Sequence, residues 1–318
     1  MSVLSKPYFH DEQAAFEFVE SIIWAAGPVC PHCGGTERIT SVKPNPEKRV
    51  RFGLKRCGQC KGQFTVRMGT IFEESKLPMT KWLQAIFLMC ASKKGVSAHQ
   101  LHRTLDVTYK TAWFLAHRVR EAMKPFAKAM MGSDGGAVEV DETFIGQAPV
   151  EKKSRLTLAN MNKVMTLVER NTGRAASIVV TDFRLSTIEP ILYSHVHPYA
   201  HLMTDEAKHY VRPGKAFANH DTVNHARDEY TRNEEGKHLI TTNTVEGYYS
   251  IFKRGMKGVY QHCQAKHLHR YLAEFDFRYS NRAAFGVDDQ ERTKRALEGV
   301  VGKRLTYRSV DGRAEATT

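Results

Sequence analysis

Residues 138–146, VEVDETFIG, decide the fold, because apolar and polar residues alternate in them as they do along a half-buried β-strand. Val138, Val140 and Phe144 fall on one face of this strand, and Asp141 falls on the other. The apolar face predicts packing within a central sheet. A carboxylate in such a strand opposes burial unless another group compensates its charge, so Asp141 is the first candidate for a functional site.

The two other acids of this stretch are expected to matter less. Glu142 shares the face of Val138 and Val140, which predicts that it points away from the site of Asp141. Glu139 shares the face of Asp141 but lies one pleat earlier. It is therefore predicted to be a supporting or solvated acid.

The segments after this strand predict the rest of an α/β core. KVMTLVERNTGRAASIVV (163–180) has a strand on each side of an Asn-Thr-Gly turn, and LSTIEPILYSHV (185–196) has a helical pattern. HLMTDEAKHY (201–210) is a short strand that ends in acids, and TNTVEGYYSIFKRGMKG (242–258) is a helix that begins near Asn243. Three strands, a helix, a strand ending in an acid and a later helix with a glutamate form the element order of a ribonuclease-H-like fold with a mixed sheet.

That fold brings a carboxylate of its first strand beside one at the end of its fourth, and a helix supplies a third. Within the predicted catalytic domain, residues 131–284, these are Asp141, Asp205 and Glu246. Clustered carboxylates repel one another, and two Mg²⁺ ions between them can clamp both sides of a phosphodiester. The alternatives are that the strand-end acids are solvated turn residues and that Glu246 closes a capping box with Asn243.

The helix with Glu246 also carries basic residues. Lys253 follows Glu246 at a helical interval, so both project from one stripe, and Lys253 can hold a nucleic-acid phosphate near the ions. Residues 241–282 contain seven Lys and Arg against three acids. Arg254 and Lys257 in this segment are predicted to contact DNA, and helix packing is the alternative role of the segment.

Two CxxC pairs, CPHC (30–33) and CGQC (57–60), stand 23 residues apart. Each pair lets two thiolates reach one ion from a tight turn, and Gly34, Gly35 and Gly58 suit the positive φ angles of such turns. We predict a structural zinc ribbon over residues 28–76, because the alternative, a redox pair, lacks its usual βαβ context. The predicted zinc ligands are Cys30, Cys33, Cys57 and Cys60.

Residues 77–130 predict three helices in a helix-turn-helix arrangement. Gly95 ends the first helix, and Ser97 and Thr108 can cap the second and the third. The third helix would present side chains to DNA bases and phosphates. Its predicted DNA contacts are Tyr109, Lys110, Thr111, His117, Arg118 and Arg120. The alternative is a three-helix unit that does not bind DNA.

The composition favours an acidic partner. Lys and Arg number 47 and Asp and Glu 34, a formal net charge of +13, although a basic solvated surface would give the same count. No apolar run approaches the roughly 20 residues of a membrane span, and the N-terminus lacks the pattern of a signal peptide. Six cysteines, four of them in CxxC pairs, indicate a metal rather than disulfides and a reducing compartment, so we expect a cytoplasmic, nucleoid-associated protein without a membrane partner.

Two terminal segments complete the expected organisation. Residues 1–27 form an N-terminal helical segment, because apolar residues recur at helical spacing within 9–24. Residues 285–318 are charged and weakly patterned, which predicts a charged C-terminal tail with a frayed end.

Five stretches of the sequence, taken together, are similar to one family. They are CPHC…CGQC…QFTVRMGTIFEESKLPMTKWLQAIFLM, VEVDETFIG, LMTDEAKHY, HDTVNHARDEY and TNTVEGYYSIFKRGMKGVYQHCQAKHLHRYLAEFDFRYSNR. The chain resembles bacterial insertion-sequence transposases of the DDE class, in particular the ISXO-like group with an N-terminal zinc ribbon. The resemblance implies a triad of Asp141, Asp205 and Glu246, with Lys253 as the trailing basic residue. Some relatives carry Asn at the third position, and here Glu246 is favoured with Asn243 in support.

The resemblance also implies an activity and partners. It implies cutting of DNA at terminal inverted repeats with Mg²⁺ or Mn²⁺, followed by attack of the freed 3′-OH on target DNA. The expected partner is double-stranded DNA, and at least a dimer is expected because two DNA ends must be joined. The rival functions are a sequence-specific DNA-binding regulator or domesticated remnant that does not cut, and a structure-selective nuclease without strand transfer.

Overall fold

The protein is described by a computed structural model over residues 2–45, 47, 50–125, 129–148, 157–236 and 238–306. These residues divide into two compact units. The first unit is drawn from residues 1–92, 96–124 and 288–318, and the second from residues 93–95 and 125–287. Across the described ranges, no helix combines the length and apolar character needed to cross a membrane.

The helices and strands are as follows. The helices are α1 (Glu12–Ile23), α2 (Met79–Ala91), α3 (Ala98–Leu105), α4 (Tyr109–Ala122), α5 (Leu185–His195), α6 (Val211–Gly214), α7 (Asn243–Gly255), α8 (Leu268–Ser280) and α9 (Asp289–Glu298). The strands are β1 (Ile39–Ser41), β2 (Lys55–Cys57), β3 (Gln63–Phe64), β4 (Ala137–Gln147), β5 (Met161–Glu169), β6 (Ala175–Val180), β7 (His201–Asp205), β8 (Asn219–Val223), β9 (Thr231–Arg232) and β10 (Ile240–Thr241).

The first unit contains a small antiparallel sheet in the order β1-β2-β3. Its strands are short, since none exceeds three residues. One buried cluster of this ribbon consists of Cys30, Cys57 and Phe64, with Trp24 and Ile39 packed against them. Cysteines therefore make up much of a core that is too small to stabilise a fold by apolar burial alone.

The helices predicted over residues 77–130 are present as α2, α3 and α4. Ser97 and Thr108 cap α3 and α4, each accepting a hydrogen bond from the backbone N–H three residues further on. Between the two helices, Asp106 adopts a left-handed conformation with φ of 49°. The first helix ends at Ala91 rather than at Gly95.

Helix α9 corrects the expectation of a charged tail over residues 285–318 for the part that it covers, whereas the predicted frayed end, residues 307–318, lies outside the described residues. The helix belongs to the first unit and packs against α2. Ala296 and Leu297 are buried, and Val300 follows them into the interior. Because the helix has so few apolar residues, its buried stripe is too narrow to be recognised in the sequence.

The second unit is built on a five-stranded mixed sheet in the order β6-β5-β4-β7-β8. Strand β4 lies at the centre, antiparallel to β5 and parallel to β7, and β8 continues in parallel beyond β7. The β5–β6 hairpin, α5, β7 and α7 follow in the predicted order. This sheet is the ribonuclease-H-like arrangement, so the predicted fold class is confirmed.

The two faces of β4 meet different helices. Val138 and Val140 lie in a buried cluster with Ile188 and Leu192 of α5. The other face of the sheet packs against α7 and α8, through residues such as Val245. Period-2 alternation therefore directs Glu139 and Asp141 towards the α7 side.

Strands β8, β9 and β10 have no counterpart in the sequence-based prediction. Strand β8 is Asn219–Val223, NHDTV, in which only Val223 is buried. β9 and β10 are two residues each and pair with one another. Strands that short or that polar lack the apolar alternation on which the prediction depends.

Candidate active site and metal centres

Two groups of side chains within the described residues are spaced to hold a metal ion. The first consists of Cys30, Cys33, Cys57 and Cys60, whose sulfur atoms all lie within 4.8 Å of one another. The Sγ atoms of Cys30 and Cys60 are 3.7 Å apart, as are those of Cys33 and Cys57. Zn–S bonds of about 2.3 Å in a tetrahedron require sulfur atoms about 3.8 Å apart, so the group fits Zn²⁺.

Two backbone turns present these sulfur atoms. In the first, the N–H of Gly34 donates to the carbonyl oxygen of Cys30 (2.8 Å), and Gly34 has φ of 72°. In the second, the left-handed residue is Lys61 and not Gly58, which corrects the prediction for Gly58. Gly58 instead permits close packing, because a Cβ there would lie 2.8 Å from the carbonyl oxygen of Arg38.

The second turn also prepares a thiolate. A hydrogen bond from the backbone N–H of Cys60 is the main cause that lowers the pKa of Cys57 to about 6. The thiolate is the form of cysteine that binds metals. The cluster therefore supports zinc as a structural ion of the ribbon.

The second group consists of Asp141, Glu142 and Asp205, whose carboxylate oxygens lie within 4.8 Å of one another. The parallel pairing of β4 with β7 ends at the pair Glu139–Met203. Asp141 and Asp205 each lie two residues beyond that pair, so they are level with one another at neighbouring strands. The carboxyl ends of parallel strands are the common ligand-binding edge of an α/β sheet.

The electrostatics of this group favour a cation. Burial is the main cause that raises the pKa of Asp141 to about 7, and the charges of Glu142, Asp205 and Glu246 raise it further. Burial likewise raises the pKa of Asp205. An ionised cluster is therefore unfavourable by itself, and a hard divalent cation with oxygen ligands would offset the repulsion.

Glu142 belongs to the cluster, so the prediction that it points away from the site was wrong. Its Oε1 accepts hydrogen bonds from Nε2 of His209 (2.5 Å) and from the hydroxyl of Tyr210 (2.6 Å). The hydrogen bond between His209 and Glu142 is the main cause that raises the pKa of His209. Because the β4–β7 ladder ends at Glu139, no β7 residue pairs with β4 at Glu142, where β4 still pairs with Met165 of β5.

Glu246 extends from the first turn of α7 and lies outside that close group of three. Its Oε1 accepts a hydrogen bond from Oγ1 of Thr242 (2.9 Å) and lies 3.5 Å from Nε2 of His225, with 42% of the side chain exposed. Its charge nevertheless contributes to the raised pKa of Asp141. The alternative role of Glu246, a capping box with Asn243, is not found, because Asn243 is the first helical residue and not the residue before the helix.

Other residues of α7 tie the helix to the site. The hydroxyl of Tyr249 donates to the carbonyl oxygen of Asp141 (2.6 Å), which fixes the middle of α7 against β4. The Nζ atom of Lys253 lies 5.8 Å from the centre of the Tyr249 ring, on the same side of the helix. Gly247 beside Glu246 is exposed, and a Cβ there would meet no heavy atom within 4 Å.

Glu139 is fully buried and not solvated. Its carboxylate accepts hydrogen bonds from the N–H groups of Thr244 (2.7 Å) and Val245 (3.0 Å) at the start of α7, and Arg170 pairs with it at 2.6 Å. No sequence pattern predicted a role for Tyr210, His209 or Arg170, although KHY (208–210) follows closely after Asp205. These supporting contacts depend on tertiary packing.

The start of α4 is exposed. Tyr109 is 45% exposed and its ring lies 4.4 Å from that of His99. Lys110 is exposed beside it, and Thr111 is partly buried, where its N–H bonds to Thr108. These side chains are available for contact with a nucleic acid.

The second half of α4 is buried, contrary to the predicted contacts of His117, Arg118 and Arg120. Their exposed fractions are 1%, 6% and 2%. Arg118 donates to the carbonyl oxygen of Glu73 (2.5 Å), and its guanidinium lies over the ring of Trp82. The reason is that α4 packs against α2, α3 and α9, which enclose more of its surface than a simple three-helix unit would.

Two further predicted DNA contacts, Arg254 and Lys257, lie at the end of α7 and just after it. Arg254 is exposed and its guanidinium bonds to the carbonyl and hydroxyl oxygens of Ser250. Lys257 is exposed in the π-helical turn that follows α7. Both basic groups are therefore accessible.

The fold and this pair of metal-binding groups resemble one class of protein, the DDE-type transposases with a zinc ribbon, and comparison with known proteins agrees. Residues 134–280 match the ISXO2-like transposase domain, and residues 10–63 match the transposase zinc-ribbon domain. The chain is also similar to an uncharacterized protein in transposable element ISH50 of Halobacterium salinarum. The two are 25% identical over 309 residues, covering 91% of this chain and 97% of that protein.

These matches specify the group within that class. The chain joins a transposase zinc ribbon to an ISXO2-like transposase domain, so its resemblance to ISXO-like insertion-sequence transposases is confirmed. The zinc-ribbon match includes all four cysteines of the cluster. The transposase-domain match includes Asp141, Asp205 and Glu246.

Proposed function

We propose that the protein binds the terminal inverted repeats of an insertion sequence, cuts the DNA there and joins the freed 3′ ends to target DNA. The observation that carries this proposal is the convergence of Asp141 and Asp205 at level positions of β4 and β7 within a transposase domain. Two partly buried carboxylates at that sheet edge suit the binding of divalent cations beside a phosphodiester.

The roles of the residues follow from their positions. Asp141 and Asp205 hold Mg²⁺ or Mn²⁺, and Glu246 completes the ligand set from α7, with Asn243 in support. When bound, such ions stabilise charge on the attacking and leaving oxygens of a phosphoryl transfer. Glu142 is kept in place by His209 and Tyr210, so it adds negative charge to the same edge. Lys253 orients a DNA phosphate on the α7 side.

DNA is held mainly by the first unit in this proposal. Tyr109, Lys110 and Thr111 at the start of α4 contact the element ends, since this end of a recognition helix usually meets the bases. The ribbon, whose segment 37–81 carries 11 basic and 4 acidic residues, grips backbone phosphates. Arg254 and Lys257 contact DNA close to the site.

We further propose a cytoplasmic, nucleoid-associated protein that acts as at least a dimer on DNA. Two ends must be brought together before they are joined to a target. The basic composition favours close association with DNA at low ionic strength.

The test uses purified, zinc-loaded protein, Mg²⁺ and a supercoiled plasmid carrying the inverted repeats that flank the gene. Joined products are the expected result. Cleavage without joining would indicate a structure-selective nuclease, and binding without cleavage would indicate a DNA-binding regulator. Either outcome would overturn the proposal.

Variants assign the third ligand in the same assay. Glu246→Gln should abolish cleavage and retain DNA binding, whereas Asn243→Ala should reduce cleavage only partly. The opposite pattern, with Glu246→Gln active and Asn243→Ala inactive, would show that Asn243 is the ligand.

A further inference from the structure

We infer that Glu139 is a positioning residue, which sets the distance between the carboxylates of β4 and the carboxylate of α7. This inference rests on the proposed function, because it concerns the same metal-binding group. Glu139 itself does not contact that group's ligand atoms. Its oxygens are occupied by the start of α7 and by Arg170.

The first observation is that Glu139 takes the place of an N-terminal cap for α7. Thr242, the residue before the helix, makes no side-chain cap hydrogen bond. Instead Oε2 of Glu139 accepts from the N–H groups of Thr244 (2.7 Å) and Val245 (3.0 Å), and Oε1 accepts from the hydroxyl of Thr244 (2.7 Å). A carboxylate from a neighbouring strand thus satisfies amide groups that helices usually satisfy locally.

The second observation is that Arg170 extends this contact to the segment before α7. Its guanidinium donates to Oε1 of Glu139 from Nε (2.9 Å) and Nη2 (2.6 Å). The same guanidinium donates to the carbonyl oxygens of Leu239 (2.7 Å) and Thr241 (3.3 Å). Residues 239–245 are therefore held to β4 through one buried carboxylate.

The third observation is where this anchor lies. Glu139 is two residues before Asp141 on the same face of β4, and Val245 is the residue before Glu246. The contact of Glu139 with the start of α7 thus links the backbone next to one predicted ligand, Asp141, to the backbone next to another, Glu246. Tyr249, which donates to the carbonyl oxygen of Asp141, fixes the next turn of α7.

The buried charge explains why this contact is specific. A buried carboxylate needs several donors, and among the described residues the donors to Glu139 are Thr244 and Val245 of α7 and Arg170. Replacing Glu139 by Gln keeps the shape but turns one oxygen into an N–H donor, which would face donors. We therefore expect α7 to shift at its start without unfolding of the sheet.

The test compares Glu139→Gln with Glu169→Gln. Glu169 is a buried carboxylate of β5 in the same sheet; it accepts hydrogen bonds from Gly132 and Thr172 and lies 3.6 Å from Nε of Arg174, with no bond to α7 in the described part of the chain. Both variants should lower the melting temperature. Only Glu139→Gln should weaken Mn²⁺ binding, measured by electron paramagnetic resonance without DNA, by about tenfold.

Cleavage gives a second readout. The Mg²⁺ concentration for half-maximal cleavage should rise about tenfold for Glu139→Gln, with end binding unchanged and with recovery at high Mg²⁺, because the ligands remain present. Glu246→Gln should not recover. Unchanged Mn²⁺ binding and an unchanged Mg²⁺ midpoint in Glu139→Gln, or equal shifts in Glu169→Gln, would overturn the inference.

Two provisions keep the test decisive. If Glu139→Gln does not fold, Arg170→Lys removes the paired guanidinium donors and should shift Mn²⁺ binding in the same direction by a smaller factor; no shift would overturn the inference. Failure of the proposed function is distinguishable, because wild-type protein would then show no Mg²⁺-dependent cleavage, while Mn²⁺ binding still reports on Glu139.

Discussion

The cysteine cluster and the carboxylate cluster are both groups of metal-binding side chains, but they depend on their surroundings in opposite ways. The cysteines lie on turns between strands of two or three residues, and they are themselves part of the small core. The carboxylates lie on the central strand of a five-stranded sheet, with a separate apolar cluster on each face.

This difference predicts that the ribbon needs its metal ion in order to fold, whereas the carboxylate cluster binds ions on a sheet that is already folded. The ribbon has little apolar burial to replace the bonds of an ion, so its structure should depend on zinc. The sheet already holds Asp141 and Asp205 together, and burial is the main cause that raises the pKa of both carboxyl groups. The second unit should therefore fold without an ion and gain stability when one binds.

The largest expected effect is loss of the ribbon. Cys57→Ser should abolish zinc binding and unfold the ribbon, since structural zinc contributes about 10 kcal/mol to folding of such small domains. The second unit should keep its melting transition. Zinc content by mass spectrometry and amide-proton spectra report the two outcomes. Cys263→Ser is the matched control, because Cys263 lies outside the cluster; one zinc per chain in Cys57→Ser would contradict the comparison.

The next effect is on chemistry alone. Asp205→Asn should reduce DNA cleavage by about 10³-fold or more, because it removes a ligand of ions that stabilise the reacting phosphate. Its neighbour Glu206 accepts backbone hydrogen bonds from His225 and Ala226 instead, so Glu206→Gln should reduce cleavage by less than about tenfold. Cleavage rates at saturating protein measure both; equal losses would remove the distinction between the two acids.

A smaller effect is a gain in stability from removing a carboxylate whose charge is disfavoured mainly by burial. The pKa of Asp141 is raised from 3.8 to about 7, so its ionisation destabilises the folded state increasingly as pH rises between those values. At pH 8 without divalent ions, Asp141→Asn should raise the melting temperature by roughly 4–8 °C, corresponding to about 2 kcal/mol. Saturating Mg²⁺ should shrink the gain, because the ion stabilises wild type only. A lower melting temperature in the variant would count against the account.

The smallest effect concerns a buried carboxylate away from both clusters. Asp276 accepts hydrogen bonds from Ser177 and Tyr248, yet burial, the main cause, raises its pKa from 3.8 to about 6. Its contribution to stability should therefore fall as pH rises from about 4 to 6. Relative to Asp276→Asn, wild type should lose on the order of 1 kcal/mol over that window, in urea titrations with or without Mg²⁺. A Mg²⁺-dependent loss would mean that Asp276 is coupled to the metal site.

Much of the second unit could be predicted because alternation and helical spacing are local. VEVDETFIG gave the faces of β4, and TNTVEGYYSIF gave α7 with its start at Asn243. The carboxylate cluster was predictable in part, since Asp141 and Asp205 end up level through the strand order alone. The family resemblance then indicated which group of transposases the chain is similar to, and the domain matches confirm that resemblance.

What escaped prediction depends on tertiary contacts. Glu142 joins the cluster because the ladder between β4 and β7 stops at Glu139, which no local pattern encodes. Arg118 and Arg120 are buried because α9, distant in the chain, helps to enclose α4. The role of Glu139 depends on its hydrogen bonds to α7, which lies more than a hundred residues further along the chain.

The most direct measurement of the central claim replaces a non-bridging oxygen of the scissile phosphate by sulfur and compares Mg²⁺ with Mn²⁺. If ions held by Asp141, Asp205 and Glu246 contact that phosphate, one diastereomer should be cut about tenfold more slowly or worse in Mg²⁺ and should recover in Mn²⁺, which accepts sulfur more readily. Equal cutting of both diastereomers in Mg²⁺, or a defect that Mn²⁺ leaves unchanged, would contradict the account.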